Sequence, residues 1–143
     1  MTAITTPRDT PIRDCTLVPV PVAADEVIPM GAIVCVNAKG FAVNGKEDAA
    51  LKYAGCADES VNNKDGKDGE QFIVVRANKA FKWASDGSIT QASLLSLAYI
   101  VDNQTLSAES GGTPAGKDTP AGEATRSSAG KIILIESDGV WIF

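Results

Sequence analysis

Five turn dipeptides punctuate this chain: Asn44-Gly45, Asp65-Gly66, Asp68-Gly69, Asp86-Gly87 and Asp138-Gly139. Asn-Gly and Asp-Gly supply the positive φ that tight turns need. The runs between them are short and rich in β-branched and aromatic residues. They are Val27–Val36 (broken by Pro29 and Gly31), Phe41–Val43, Leu51–Cys56, Gln71–Arg76, Ala80–Ala84, Tyr99–Val101, Lys131–Glu136 and Val140–Phe143. Strands at this spacing predict an all-β fold, a compact antiparallel barrel or sandwich. One short helix is predicted at Thr90–Ala98, with Ser88 or Thr90 as cap and Leu94, Leu95 and Ala98 on one face.

With 143 residues the chain is read as one domain with an arm: residues 1–26 the arm, 27–143 the β domain, with a flexible loop at about 107–129. A chain of this size buries about 70% of its unfolded surface, so neither disulfide nor metal is required for folding. The formal charge is −5, which disfavours a nucleic-acid or anionic-membrane partner. Histidine is absent. That removes Ser-His and Cys-His dyads, imidazole zinc sites and histidine pH switches together. Cys15, Cys35 and Cys56 form no CxxC pair and are read as free thiols in a reducing compartment. The first residues lack an apolar run behind a basic start, and no stretch approaches the ~18 residues of a membrane span. No cofactor, no catalytic residue and no metal site are expected, and folding is expected in a cytoplasm.

The N-terminal segment carries Pro7, Pro11, Pro19 and Pro21, so it is extended and not helical. Val18, Val20 and Val22 alternate with two of these prolines and offer one apolar face. That face either docks on a neighbouring subunit or lies as a strand-like lid over its own core. At the other end, an Asp138-Gly139 turn would pair Glu136 with Trp141, Ile135 with Ile142 and Leu134 with Phe143. Both faces of this hairpin would be apolar, so it is sandwiched within the domain or meets another subunit. Val18, Val20, Val22, Trp141 and Phe143 are the candidate partner contacts. Between these ends lies a tandem repeat, Thr113-Pro-Ala-Gly-Lys-Asp and Thr119-Pro-Ala-Gly-Glu-Ala, read as a duplicated surface loop.

Several segments imitate chemical motifs. Gly111–Asp118 nearly fits a P-loop, but Asp118 replaces the magnesium-binding hydroxyl and no helix can start at Thr119-Pro120. Asn62–Glu70 has the composition of a calcium loop without its ligand spacing. Glu136 and Asp138 would serve acid/base chemistry only if one were held in an apolar pocket. Adjacent Asp58 and Glu59 would point to opposite faces of a strand. Arg76, Lys79 and Lys82 interleave with Phe72, Phe81 and Trp83 as on single-strand-binding barrels, yet the same alternation is ordinary core-in, charge-out patterning.

The order of short strings in residues 27–143 resembles a known family. They are Gly55-Cys-Ala-Asp-Glu-Ser-Val-Asn-Asn63, Val-Val-Arg76, Phe81-Lys-Trp83, Tyr99-Ile-Val-Asp-Asn-Gln-Thr105, Thr125-Arg-Ser-Ser-Ala-Gly130 and Gly139-Val-Trp-Ile142. The series is similar to the capsid decoration, or structural cement, proteins of Mu-like and related tailed phages and prophages. Where relatives pass directly from Asp-x-Gln-Thr to Thr-Arg-Ser, this chain carries the duplicated 113–124 insert. The resemblance implies a β-rich, non-enzymatic protein on the outer surface of a phage head. It would bind the major capsid protein, be a homo-oligomer with a trimer favoured, and be assembled in the host cytoplasm and located in the virion. A different virion component, such as a head-fibre base or tail-tube-like protein, shares most of this logic. A small β-barrel binding single-stranded nucleic acid or sugar is the non-structural alternative.

Overall fold

The computed structural model describes residues 3–143. Twelve strands follow in chain order: β1 Leu17–Pro21, β2 Val27–Ile28, β3 Ile33–Val36, β4 Ala42–Asn44, β5 Lys52–Ala57 and β6 Val61–Asn62, then β7 Phe72–Arg76, β8 Phe81–Ser85, β9 Leu97–Ile100, β10 Thr105–Ser107, β11 Ser128–Glu136 and β12 Gly139–Ile142. The fold is all-β, as the turn spacing predicts.

The strands form two curled layers. The first is a five-stranded sheet in the order β1-β7-β5-β3-β4. Its two ends meet where Val22 bridges Ala42 and the Ala23 N–H donates to the Ala42 carbonyl at 3.0 Å. Val22, Val34, Ala42, Ala57, Ile73 and Val75 fill the interior, and Ile28 and Val61 of the β2–β6 pair close it. The second layer is a closed barrel, β10-β8-β12-β11-β9. Between the layers lies the larger core, where Ile33, Cys35, Val43 and Cys56 meet Trp83, Ile100, Leu106, Ile132 and Ile142. Strand β3 therefore faces apolar neighbours on both sides, Val34 into one cluster and Ile33 and Cys35 into the other. This explains its unbroken apolar run. Gly55 allows the first layer to bend: at φ +141° its position would place a Cβ 2.0 Å from the Arg76 carbonyl oxygen, and it stands beside Ala54, the extra residue of β5 at the register shift against β3.

Strand β1 begins at Leu17, within the segment expected to be arm, so its valines belong to the lid alternative. It pairs antiparallel with β7, Val18 opposite Val75 and Val20 opposite Ile73. The Val22 N–H donates to the Gln71 carbonyl and the Ala77 N–H to the Thr16 carbonyl. Even-numbered residues thus turn their backbone polar groups towards β7, and odd-numbered residues turn theirs outward. Pro19 and Pro21 occupy outward positions. The missing N–H groups cost the ladder nothing and leave the open edge without donors there. The arm proper is residues 3–16, without regular structure and exposed throughout; Met1 and Thr2 lie outside the described residues.

Two local expectations are corrected. Thr90–Ala98 is not an α-helix: only Gln91–Ser93 makes a single 3₁₀ turn. Leu95 takes φ +67° and gives its N–H to Ile132, so the chain leaves the helical path to join β11. In the C-terminal hairpin the loop is Ser137-Asp138, with Glu136 opposite Gly139, Ile135 opposite Val140 and Leu134 opposite Trp141. A bulge between Ile132 and Leu134 then sets Ile132 opposite Ile142.

Candidate interaction surface

The C-terminal hairpin presents one face to the core and the other to solvent. Ile132, Val140 and Ile142 are buried inward, whereas Ile133, Leu134 and Phe143 are exposed. The register arranges the outward side chains in two rows across neighbouring strands, where cross-strand pairs touch. In the first row Leu97 stands opposite Lys131, which exchanges backbone hydrogen bonds of 2.9 and 3.0 Å with Phe143. In the second, Leu95 abuts β11 beside Ile133, Leu134 pairs with Trp141, and Trp141 pairs with Lys82. Leu95 is 65% exposed and Phe143 69%. The outer face of the second barrel thus gathers five exposed large apolar side chains, Leu95, Leu97, Ile133, Leu134 and Phe143, a clustering that scattered surface apolar residues do not show.

Its polar end is tightly organised. Lys82 Nζ lies 2.7 Å from Glu136 and also binds Asp138, while the Trp141 indole N–H donates to Glu136 at 2.9 Å. Hydrogen bonds from Lys82 hold both carboxyls below the usual carboxylate range, and both carboxylates raise the lysine. Neither acid is kept protonated near neutrality, as a general acid must be. A cleft of about 370 Å³ beside this turn runs from Ala84 to Val140 and includes both acids.

Of the five candidate contacts, Phe143 stands fully on this face and Trp141 lies half-buried beneath the Lys82–Glu136 pair. Val18 and Val20 are half-buried on the β1 edge, and Val22 is wholly within the first layer. Leu95, Leu97, Ile133 and Leu134 complete the face and were not named in advance. The hints to them were the Leu94-Leu95-Ser96-Leu97 run and the unalternating Ile132–Ile135.

The remaining imitations of chemistry resolve into structure. Asp58 binds Arg76, and Glu59 accepts the Val74 N–H at 3.1 Å. In the calcium-like loop Asn63 is buried and donates to the Ala23 and Lys67 carbonyls. Among the described residues no group of three or more Cys, Asp or Glu is placed to hold a metal ion. Along β8 Trp83 is buried while Lys82 is engaged by acids, so that strand alternates core-in, charge-out; Arg76 is held by Asp58, and Phe72 is exposed.

The near P-loop lies in an exposed excursion that pairs with itself. The Gly116 N–H donates to the Thr119 carbonyl and the Gly122 N–H to the Thr113 carbonyl, both at 2.9 Å. Each copy of Thr-Pro-Ala-Gly thus gives its glycine to the threonine of the other. A Cβ at Gly122 would lie 2.2 Å from Thr113 Oγ1, so the two halves approach closely only with glycine there. Ser110 closes the base by accepting the Thr125 and Arg126 N–H groups, and Arg126 reaches Glu47 at 3.3 Å. Compared with protein-family models, curated proteins and solved structures, the chain matches none.

Proposed function

We propose that this protein is a capsid decoration, or cement, protein. It binds the outer surface of a tailed-phage head and stabilises contacts between major capsid protein subunits, as the family resemblance of residues 27–143 implies. The observation that carries the adhesive part of this reading is the apolar outer face of the second barrel, left uncovered beside a projecting arm. Cement acts by burying apolar area across subunit boundaries. At about 25 cal/mol per Å², several half-exposed Leu, Ile and Phe side chains supply on the order of 5 kcal/mol per copy before ordering costs. Repetition over a shell multiplies a modest contact. The self-paired repeat excursion carries no large apolar side chain to add to such a contact.

Co-sedimentation of the purified protein with undecorated tailed-phage capsids tests the proposal. Binding at saturating, symmetry-limited stoichiometry with raised capsid thermal stability is expected. Absence of binding overturns the decoration reading.

A further inference from the structure

We infer that residues 45–51, which join β4 to β5, form a strap across the inter-layer core that Glu47 latches to the second layer and that is released when this carboxylate is protonated. The inference is independent of what the outer face of the second barrel binds. Strands β4 and β5 flank β3, so the segment between them has to cross β3. It crosses on the side that faces the second layer. A Cβ at Gly45 would lie 2.9 Å from the Ile33 side chain and 3.0 Å from the Asp102 carbonyl oxygen, which wedges the strap between β3 and the β9–β10 turn. At the other end Leu51 is buried in the same cluster as Ile33 and Cys35. Between these two anchors Lys46, Glu47, Ala49 and Ala50 are exposed.

One side chain ties the strap to the second layer. Glu47 accepts the Thr125 hydroxyl at 2.5 Å and lies 3.3 Å from Arg126 Nε. Among the described residues no other polar group of the strap bonds to that layer. Close by, the layers are joined by neutral bonds. The Ile33 N–H donates to the Asn103 carbonyl at 2.7 Å, and the Asn103 side-chain N–H donates to Asn44 at 3.0 Å. Those bonds do not titrate, so they serve as the hinge and Glu47 as the latch. The Arg126 side chain is only 19% exposed, and its other partners are the Ser107 hydroxyl at 3.2 Å and the Glu109 carbonyl at 3.1 Å. A guanidinium does not shed its proton. Neutralising Glu47 therefore leaves a largely buried cation facing neutral acceptors, and its hydration favours an open seam.

The surrounding charges leave Glu47 as the switch. Lys46 and Asp48 flank it on the strap, and Lys39 and Asp68 border a cleft of about 290 Å³ that also touches Asp48 and Leu51. Asp86 acts on Arg126 from the far side but is itself bound by Ser88. The Thr125 hydrogen bond, aided by Arg126, holds the Glu47 carboxyl below its ordinary range. The latch is thus closed above that range and opens as pH falls through the lowered value.

The buried thiols report the opening. Cys35, opposite Val43 on one side and Tyr53 on the other, lies under the strap, and Cys56 shares its core. The test uses the full chain in a Cys15→Ser background and 4,4′-dithiodipyridine, with rates divided by that of a free model thiol at each pH. From pH 7 to pH 3 the normalised rate should rise by about fivefold or more, the scale of one partly exposed ion pair. Native far-UV dichroism and a shallow dependence on urea should accompany it. No rise, or a rise as steep in urea as global unfolding, overturns the strap. Glu47→Gln should react fast already at pH 7 and lose the pH dependence; a variant that keeps the parent's profile overturns Glu47 as the latch. To separate unlatching from general loosening, Arg126→Gln and the double variant complete a cycle at pH 7. Each single change should raise the rate by a similar factor and the pair no further. Factors that multiply in the double variant overturn the latch.

Discussion

The Leu95 N–H donates to the Ile132 carbonyl at 2.8 Å while Leu95 itself sits at φ +67°. One contact thereby stops the 3₁₀ turn, joins the segment to β11 and sets an exposed leucine at the middle of the apolar face.

Because that backbone favours glycine, Leu95→Gly should raise stability by up to about 1 kcal/mol in urea unfolding. The same variant should weaken self-association or capsid binding. A loss of more than about 1 kcal/mol would show that the left-handed residue is not strained.

The open edge of β1 is silenced at Pro19 and Pro21. Replacing both with valine restores two outward N–H groups on an exposed strand. Concentration-dependent aggregation, read by light scattering and thioflavin fluorescence, is the expected result. A double variant that stays as soluble as the parent would remove edge protection as the reason for the prolines.

Val22 is the residue at which the first layer closes on itself, so Val22→Ala should cost about 2 kcal/mol. A truncation that removes residues 1–22 should lose cooperative thermal unfolding. One that removes residues 1–14 should keep it, because only the second spares β1.

Among the thiols, Cys15 is exposed while Cys35 and Cys56 are buried. Burial pushes Cys35 up to about 12 and also raises Cys56. One thiol of three should react with a disulfide reagent at pH 8 in the native protein, and all three in denaturant. Rapid native reaction of more than one would mean that the core between the layers opens.

The Lys82 cluster ties stability to pH. Glu136 and Asp138 have lowered values in the fold, so they stabilise it above their unfolded values, and that share is lost as pH falls through the folded ones. Lys82 is raised, so its share holds at lower pH and is lost as pH climbs past the ordinary lysine range. Lys82→Met should therefore flatten the acid limb of the stability profile measured by urea unfolding from pH 3 to 7. An acid limb as steep as the parent's would place its origin elsewhere.

The turn spacing carried the fold class because each strand is short and locally patterned. It carried the topology poorly. Of the five dipeptides only Asp138-Gly139 stands at a turn between consecutive paired strands, and the loop there is Ser137-Asp138. The β3–β4 turn uses Asn37 to Gly40, and the β9–β10 turn has no glycine: the Asp102 side chain accepts the Gln104 and Thr105 N–H groups instead. Strand β10 is hard to read from sequence because its turn from β9 carries no glycine and its other pairing, with β8, is parallel and non-local. At the site, the two-faced hairpin was legible from Ile132–Ile135 and Val140–Phe143. Leu95 was not, since a helical reading of its run set it on one face with Leu94 and Ala98, and Leu97 lay off that face. Val22 was misplaced for a related reason: a proline-flanked valine looks like part of an arm until its neighbour β4 is known.

The β1–β7 pairing also decides how the molecule answers a pull. Tension applied through the arm runs along the axis of β1, so the hydrogen bonds to β7 are sheared together and do not peel one at a time. The last of them, at Val22, sits beside the Ala42 bridge that closes the layer. A tether anchored in this way yields all at once and at high force.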